Sequence, residues 1–254
     1  MPSKISASVV SYNNREQLMR LLQSFERYCD VATVDLYLID NASVDGTIAA
    51  VRQSFPWVKL IVNERNLGFG EAHNQVLDQL DSEYHLVINP DIVFIEDTVT
   101  SLADFMDSHP QVVMATPRIL NLDGSEQRLP KSRPRLKYVI ARRYEQRFGW
   151  AKQLCREYTR ADESLDQPTH IENCTGSFFI IRTKIFKQLG GFDSSFFLYF
   201  EDNDLTVRAM QLGSVMFVPI TQVLHGYERA AMRDLSAFIT QARSMLRFFS
   251  KHGW

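Results

Sequence analysis

Short apolar runs alternate with helical patterns through the first half of the chain, and each run ends abruptly in polar residues. The runs cover residues 5–10, 34–39, 58–62 and 86–88. Between the first two, apolar residues recur at helical spacing, as at positions 18, 21, 22 and 25. Strands separated by helices of this length are typical of crossover units in a largely parallel sheet. The sequence therefore predicts a Rossmann-like α/β fold with a nucleotide-binding half over residues 1–120.

The polar residues that follow the four strands are the first candidate site. They are Tyr12 and Asn13, Asp40 and Asn41, Arg65, Asn66 and Gly68, and Asn89-Pro90-Asp91. The carboxyl ends of parallel strands share one rim, where ligands bind in open α/β sheets. An aromatic ring, amides, a basic residue and carboxylates on this rim suit a base, a ribose, phosphates and a cation. Rim packing, helix caps and tight turns are the structural alternatives.

The tripeptide Asn89-Pro90-Asp91 has two interpretations. Pro90 removes a backbone donor and fixes φ, so strand pairing stops and Asp91 is held at the rim. A carboxylate in this place suits Mg²⁺ or Mn²⁺ carrying a phosphorylated substrate. A strand-ending turn without a metal is the alternative, since Asn, Pro and Asp all favour turns.

The second half contributes Glu201, Asp202 and His225. The two carboxylates follow the aromatic-rich residues 196–200, where desolvation raises a carboxylate pKa toward that of a general base. They could instead be acids that complement a helix N-terminus. His225 is a candidate metal ligand, with a structural histidine as the alternative. A terminal helix is predicted over residues 235–249, with residues 238, 242, 246 and 249 on one face.

Composition and charge limit the partners. A formal net charge of −2 provides no global attraction to nucleic acid, so we expect none as a partner. The three cysteines lack redox or metal spacing, and the chain shows no signal-peptide pattern or bilayer-length apolar stretch. We therefore expect a cytoplasmic protein, with peripheral contact at the inner face of the membrane. The basic residues within 128–147 indicate a solvated loop, or a surface for anionic lipid head groups or an acceptor diphosphate.

Six motifs in chain order resemble family 2 glycosyltransferases of the GT-A fold, and within them the bacterial rhamnosyltransferase-like branch that builds surface polysaccharide. They occupy residues 9–13, 40–46, 66–70 with Asn74, 89–91, 190–193, and 200–205 with Arg208. The resemblance extends from the first strand to about His225. It departs at Asn89, an amide where the family's Asp-x-Asp motif has a carboxylate.

The resemblance implies transfer of a sugar, with inversion, from a nucleotide diphosphate to a saccharide or polyprenyl-diphosphate-linked acceptor. The donor is expected to be a dTDP- or UDP-sugar, with dTDP-rhamnose the first choice. The resemblance further implies that Asp91 and His225 bind Mg²⁺ or Mn²⁺. Asp202 would be the catalytic base, and Glu201 would orient it or the acceptor. The residues expected near the donor are Tyr12, Asn13, Asp40, Asn41, Arg65, Asn66, Gly68 and Asn89. Residues 121–254 would form the acceptor half of one continuous GT-A domain.

Two other functions are compatible with a nucleotide-binding sheet. One is a sugar nucleotidyltransferase, although such enzymes carry a Gly-rich, basic loop after the first strand, where this chain has Ser11-Tyr12-Asn13-Asn14. The other is a non-catalytic module that binds a nucleotide or a glycan. The presence of both Asp91 and Asp202 argues against the second.

Overall fold

The computed structural model describes residues 4–127, 129–226 and 235–253. The strands are β1 (Ile5–Ser11), β2 (Val34–Asp40), β3 (Lys59–Val62), β4 (Tyr84–Ile88), β5 (Ile92–Phe94), β6 (Val112–Asn121), β7 (Thr169–His170), β8 (Phe178–Arg182) and β9 (Ser214–His225). The helices are α1 (Arg15–Tyr28), α2 (Thr47–Ser54), α3 (Phe69–Asn74), α4 (Thr98–Ser108), α5 (Leu136–Tyr144), α6 (Gly149–Tyr158), α7 (Thr183–Gln188), α8 (Glu201–Ala209) and α9 (Leu235–His252). No helix in these ranges has the length and apolar character needed to cross a membrane.

The strands form one sheet in the order β3-β2-β1-β4-β8-β6-β9-β5, with β7 paired to β9. The first four strands of this order are parallel, which confirms the α/β architecture predicted from the alternation. Beyond them the sheet is mixed, because β8 runs antiparallel to both β4 and β6. The chain enters β8 from the rim where β4 ends, and Asn89 N–H donates to Ser177 O there at 2.9 Å. The start of β8 therefore belongs to the same rim as the predicted site.

Both faces of the sheet are covered, so its inner strands β1, β4 and β8 are buried along almost their whole length. On β2, Leu36 and Leu38 pack with α1, whose Leu18, Leu21, Leu22 and Phe25 are fully buried as the spacing predicts. The neighbouring Tyr37 and Ile39 face the other side and join the cluster that contains Ala72 and Leu205. Successive side chains of one strand thus serve two separate cores.

Helix α9 packs on the core mainly near its C-terminal end. Phe248 and Phe249 are fully buried and pack with Phe196, whereas Phe238 and Leu246 are 65% and 52% exposed. Of the four residues predicted to share one face, 238, 242, 246 and 249, only Phe249 is thus buried. The orientation of the helix is set at its last turn, where Lys251 and His252 contact the buried carboxylate of Asp204 at 2.6 and 2.7 Å.

A buried polar network lies within the sheet beneath the rim. Ser8 Oγ lies 2.7 Å from His73 Nδ1 and 2.8 Å from His85 Nε2, and Ser6 Oγ lies 2.8 Å from His85 Nδ1. Burial lowers the pKa of His85 to about 3. Burial, together with the neighbouring His85, lowers the pKa of His73 well below its ordinary value. Both imidazoles are therefore neutral in the folded protein at physiological pH.

These histidines should make the fold sensitive to acid. Their folded pKa values are depressed, so below pH ~6.5 the unfolded state binds protons that the folded state excludes, and stability falls. Each histidine contributes a slope of about 1.4 kcal/mol per pH unit. His85→Gln preserves hydrogen-bonding capacity and removes one titrating group, so its free energy of unfolding should fall less steeply between about pH 6 and pH 4. Urea titrations measure this slope.

The exposed His170 provides the matched control. His170→Gln should retain the wild-type slope, since this side chain lies outside the buried network. Equal slopes for His85→Gln and the wild-type protein would contradict the assignment of the acid sensitivity to the buried network.

Candidate active site

The turns after β1 and β2 hold each other in place at the rim. Asn13 donates its N–H to Ser43 Oγ at 2.9 Å and accepts from Val44 N–H at 2.8 Å through its side-chain oxygen. Asn13 and Ala42 both adopt left-handed backbone conformations, with φ of 52° and 65°. Non-glycine residues in this region carry strain that the surrounding contacts must stabilise. The two turns leave Tyr12 half exposed beside them, so the ring is accessible to a ligand.

Asp40, the last residue of β2, has two carboxylate oxygens in different hydrogen-bonding states. Its side chain is fully buried, and Oδ2 accepts from Ser43 N–H at 2.8 Å. Oδ1 is also buried and accepts no hydrogen bond from the described residues. An unsatisfied buried acceptor costs about 1–3 kcal/mol, so this oxygen suits an N–H or O–H supplied by a ligand.

The side chains of Asn41 and Asn66 stabilise the loop after β3. Asn41 Nδ2 donates to Gly68 O at 2.9 Å, and Asn66 Oδ1 accepts from Gly68 N–H at 2.8 Å. Asn63, which the sequence did not single out, donates to Asn41 Oδ1 at 2.9 Å. The two predicted donor-site amides therefore shape the rim, while Arg65 is exposed within the same loop.

Gly68 connects this loop to the segment that precedes α8. Its φ is +84°, and an added Cβ would lie only 2.2 Å from Phe197 O. Phe69 N–H donates to the same carbonyl at 3.0 Å. Gly68 is thus required for close backbone approach, and it brings the first half of the chain against the loop that carries Glu201 and Asp202.

The two predicted metal ligands converge. His225 Nε2 lies 3.1 Å from Asp91 Oδ1, and His225 Nδ1 lies 3.1 Å from Gln127 Oε1. Antiparallel pairing of β5 with β9 sets His225 opposite Ile92, and Gly226 N–H donates to Asp91 O at 2.9 Å. Gln127 fixes the imidazole orientation and carries no signal in the sequence that would have identified it.

The donor set fits a divalent cation that has other ligands as well. Asp91 Oδ1 is buried and lies 3.1 Å from His225 Nε2, so a carboxylate oxygen and an imidazole nitrogen face each other there. Within those residues there is no cluster of three or more His, Cys, Asp or Glu side chains suited to a metal. Phosphate oxygens and water would have to complete the coordination, as they commonly do for Mg²⁺. Asn89 also forms the expected turn, since its carbonyl accepts from Ile92 N–H at 3.2 Å.

Glu201 and Asp202 begin α8 directly after a strained turn. Tyr199 and Phe200 both have left-handed backbones, with φ of 69° and 68°. Asp202 Oδ2 accepts from Gly176 N–H at 2.9 Å, and Oδ1 accepts from Asn203 N–H at 2.7 Å. Glu201 Oε2 is buried and accepts no hydrogen bond in the described part of the chain.

The electrostatics of the two carboxylates differ. Burial raises the pKa of Glu201 to about 8, and the adjacent charge of Asp202 adds to the rise. Burial also raises the pKa of Asp202, but hydrogen bonds from Gly176 and Asn203 oppose the shift. The pair is coupled, and the donors favour the charge on Asp202. Glu201 therefore holds its proton more readily than Asp202, whose charged form is favoured by two donors.

One segment joins the metal ligands to the candidate base. Ser177 O accepts from Asn89 N–H, and the preceding Gly176 donates to Asp202. Residues 176–177 thus link the turn that carries Asp91 to the helix that carries Asp202, with one hydrogen bond to each. The sequence identified both carboxylates but not the 176–177 segment between them.

With this geometry established, comparison with known proteins identifies the class. The family model described as "Glycosyl transferase family 2" matches residues 6–190. The chain belongs to this family and is a glycosyltransferase of the GT-A fold, which confirms the expected fold and enzyme class. The nucleotidyltransferase and non-catalytic interpretations are accordingly set aside.

Curated relatives are named as rhamnosyltransferases. The N-acetylglucosaminyl-diphospho-decaprenol L-rhamnosyltransferase of Mycobacterium tuberculosis is 28% identical over 273 aligned residues, covering 100% of this chain and 87% of the relative. The rhamnosyltransferase WbbL of Escherichia coli K12 is 26% identical over 184 residues, covering 69% of this chain and 65% of WbbL. The resemblance to the rhamnosyltransferase-like branch is therefore confirmed.

Solved structures share the fold at low identity. The mannosyltransferase of Pyrobaculum calidifontis, solved with GDP-mannose and Mn²⁺, has a TM-score of 0.64 at 18% identity, covering 99% of this chain and 64% of that chain. Staphylococcus aureus TarS, solved with UDP, has a TM-score of 0.62 at 17% identity, covering 97% of this chain and 72% of that chain. At such identities the likeness concerns the fold alone.

The raised pKa of Glu201 leads to a testable dependence of stability on pH. Its folded pKa of about 8 lies above the ordinary value of 4.5, so its stabilising contribution is present below pH ~4.5 and is lost as pH rises to about 8. Glu201→Gln removes this loss and should raise the Tm relative to wild type progressively from pH 5 to about pH 8, above which the difference should level off. The exposed Glu71→Gln serves as control and should shift the Tm equally at all pH values. A pH-independent difference for Glu201→Gln would contradict the assignment.

Proposed function

We propose that the protein transfers rhamnose, with inversion, from dTDP-rhamnose to a saccharide on a polyprenyl diphosphate. The observation that carries the proposal is the pairing of Asp91 with His225 on the same rim segment that positions Asp202. The names of the M. tuberculosis and E. coli relatives support the sugar, and that of the first supports the lipid-linked acceptor. A UDP-sugar donor is the alternative to dTDP-rhamnose.

The donor would lie across the ends of β1, β2 and β3. Tyr12 offers an exposed ring for the nucleobase, and Asp40 Oδ1 offers a buried acceptor for a base N–H or a ribose hydroxyl. Asn41 and Asn66 would act by holding the loop that forms the pocket wall. Arg65, exposed in that loop, would approach the diphosphate.

Asp91 and His225 would hold Mg²⁺ or Mn²⁺ against the diphosphate. When bound, the cation neutralises charge on the departing nucleoside diphosphate. Gln127 would keep the imidazole directed at the ion through His225 Nδ1. Asn89 contributes backbone contacts in place of a second carboxylate, so we expect a weaker metal site than one with two acidic residues.

Asp202 would take the proton of the acceptor hydroxyl. The hydroxyl oxygen attacks the anomeric carbon, the bond from that carbon to the diphosphate oxygen breaks, and the hydroxyl proton passes to an Asp202 oxygen. Burial makes this carboxylate a stronger base, and the adjacent Glu201 holds its own proton more readily. Because no second carboxylate is assigned as a nucleophile, a single displacement with inversion is expected.

The proposed location follows from the acceptor. A polyprenyl diphosphate resides in a membrane, so the protein would work from the cytoplasm at the inner face, through peripheral contact. The role would be polysaccharide biosynthesis, with residues 121–254 providing most of the acceptor side and residues 1–120 most of the donor side.

Asp202→Asn tests the base. The amide retains the shape and can still accept from Gly176, but it cannot take a proton, so transfer should fall by about 10²–10⁴-fold. Binding of the donor nucleotide should remain within about two-fold of wild type, since the substitution removes no donor contact. Single-turnover assays with calorimetric titration of the nucleotide measure both. Full residual activity would remove Asp202 from the mechanism, and product NMR that shows retention of configuration would refute the single displacement.

Asp91→Asn tests the metal site independently of activity. In wild type, Mn²⁺ should increase the affinity for dTDP, and in the variant this increment should fall by about ten-fold. Asp78→Asn, at an exposed position outside the rim, is the matched control and should keep the increment. A screen of dTDP, UDP and GDP by thermal shift, with and without Mn²⁺, identifies the base. Stabilisation by GDP alone would overturn the proposed donor.

A further inference from the structure

The α5–α6 hairpin, residues 136–158, forms a small unit beside the active site. Its two helices enclose a core of their own, composed of Ala141, Ala151 and Cys155 with Leu154 packed against it. This core is separate from the two large clusters that line the sheet. The side of the hairpin that faces away from this core has no assigned role in the proposed reaction.

Three aromatic side chains project together at the tip of the hairpin. Tyr144, Phe148 and Trp150 have ring centroids 6.0–6.4 Å apart, and they are 41%, 46% and 49% exposed. The turn is ordered by backbone hydrogen bonds, since Phe148 N–H donates to Tyr144 O and Lys152 N–H donates to Phe148 O, both at 3.1 Å. We call these three residues the aromatic tip. An exposed apolar cluster of this kind indicates an interaction surface.

Basic residues are concentrated in the hairpin and in the segment before it. Residues 131–152 contain eight lysines and arginines and a single acid, Glu145, in a chain whose net charge is −2. Arg128, which begins the predicted basic stretch, lies outside the described residues. Four of these residues are exposed, namely Arg142, Arg143, Arg147 and Lys152. Within the described ranges, no carboxylate oxygen lies within 4 Å of their side-chain nitrogens. Their charge is thus available to an external anion.

We propose that the aromatic tip inserts into the interface of an anionic lipid bilayer while the arginines of the hairpin contact lipid phosphates. Tyr and Trp rings favour the level of the head groups, and clustered basic residues bind anionic membranes. A second copy of this chain is disfavoured as the occupant, because two such faces would bring like charges together. The inference deepens the proposed function by assigning the surface that makes the membrane contact.

The hairpin also reaches the catalytic end of the molecule. Tyr158, at the end of α6, is partly buried with Lys131 Nζ 5.9 Å from its ring centroid. Burial raises the pKa of Tyr158, Arg142 opposes the rise, and the charge of Asp202 adds to it. One small unit therefore extends from a membrane-facing tip to the surroundings of the proposed base, which is the route a lipid-linked acceptor would need.

Vesicle co-sedimentation of the full chain tests the proposal. Binding should be strong to vesicles of phosphatidylcholine with phosphatidylglycerol and at least ten-fold weaker to phosphatidylcholine alone. Phe148→Ser/Trp150→Ser and Arg143→Glu/Arg147→Glu should each weaken binding to the anionic vesicles by about ten-fold or more. Ile220→Ser and Arg52→Glu, at exposed positions outside the hairpin, are the matched controls and should bind like wild type.

Insertion is distinguished from purely electrostatic attachment by tryptophan quenching. Brominated lipids should quench the fluorescence of the wild-type protein on anionic vesicles, and Trp150→Phe should lose most of that quenching while it still binds. Retained binding by the Phe148→Ser/Trp150→Ser protein would overturn insertion. Self-association abolished by the same pair of substitutions would overturn the lipid occupant in favour of a second copy.

Transfer assays on the same variants test the proposed reaction separately from membrane binding. With a water-soluble acceptor analogue, the tip variants should transfer sugar at the wild-type rate, because none of the substituted side chains belongs to the proposed site. Vesicle binding without any transfer would refute the proposed reaction and leave the membrane surface standing. Transfer without binding to anionic vesicles would refute the membrane surface alone.

Discussion

The buried carboxylate of Asp204 is the interaction on which the catalytic end of the molecule depends. Arg208 contacts one of its oxygens at 2.7 Å, and Lys251 and His252 contact the other at 2.6 and 2.7 Å. Arg208 also donates to the carbonyls of the turn before Phe192. Removing one partner from a buried charge cluster typically costs 3–5 kcal/mol. This cluster joins α8, the terminal helix and the 189–191 turn into one support beneath Glu201 and Asp202.

That support explains where backbone strain is found. The left-handed Tyr199 and Phe200 lie between Phe196 and Asp204 in the chain, and Phe200 packs against the aromatic cluster of Phe196 with Phe248 and Phe249. Strained residues persist only when their surroundings over-determine them, and here contacts act on both sides. The close approach of Gly68 to Phe197 O adds a third constraint from the first half of the chain. The direction in which α8 presents its carboxylates is therefore fixed by contacts distant in sequence.

The sequence predicts those parts of the site that carry their own local signal. β1 to β4 and the polar residues at their ends were recognisable because apolar runs, turn formers and helical spacing occur together within a few positions. The reversed direction of β8, the role of Gln127 and the buried face of α9 were not. Each depends on a long-range contact, such as that between Asp204 and Lys251, which leaves no periodic trace. The aromatic tip is a similar case, since only the fold shows that its rings share one surface.

The two carboxylates of α8 show how one structural feature sets both geometry and proton affinity. Desolvation favours protonation of both, and the hydrogen bonds of Gly176 and Asn203 oppose it at Asp202 alone. Gly176 is itself positioned by the neighbouring Ser177, whose carbonyl accepts from Asn89 at the end of β4. The turn that carries Asp91 therefore also fixes a donor that favours the charged form of Asp202. A displacement of β4 relative to β8 would alter the proposed metal site and the proposed base together, because one peptide segment sets both.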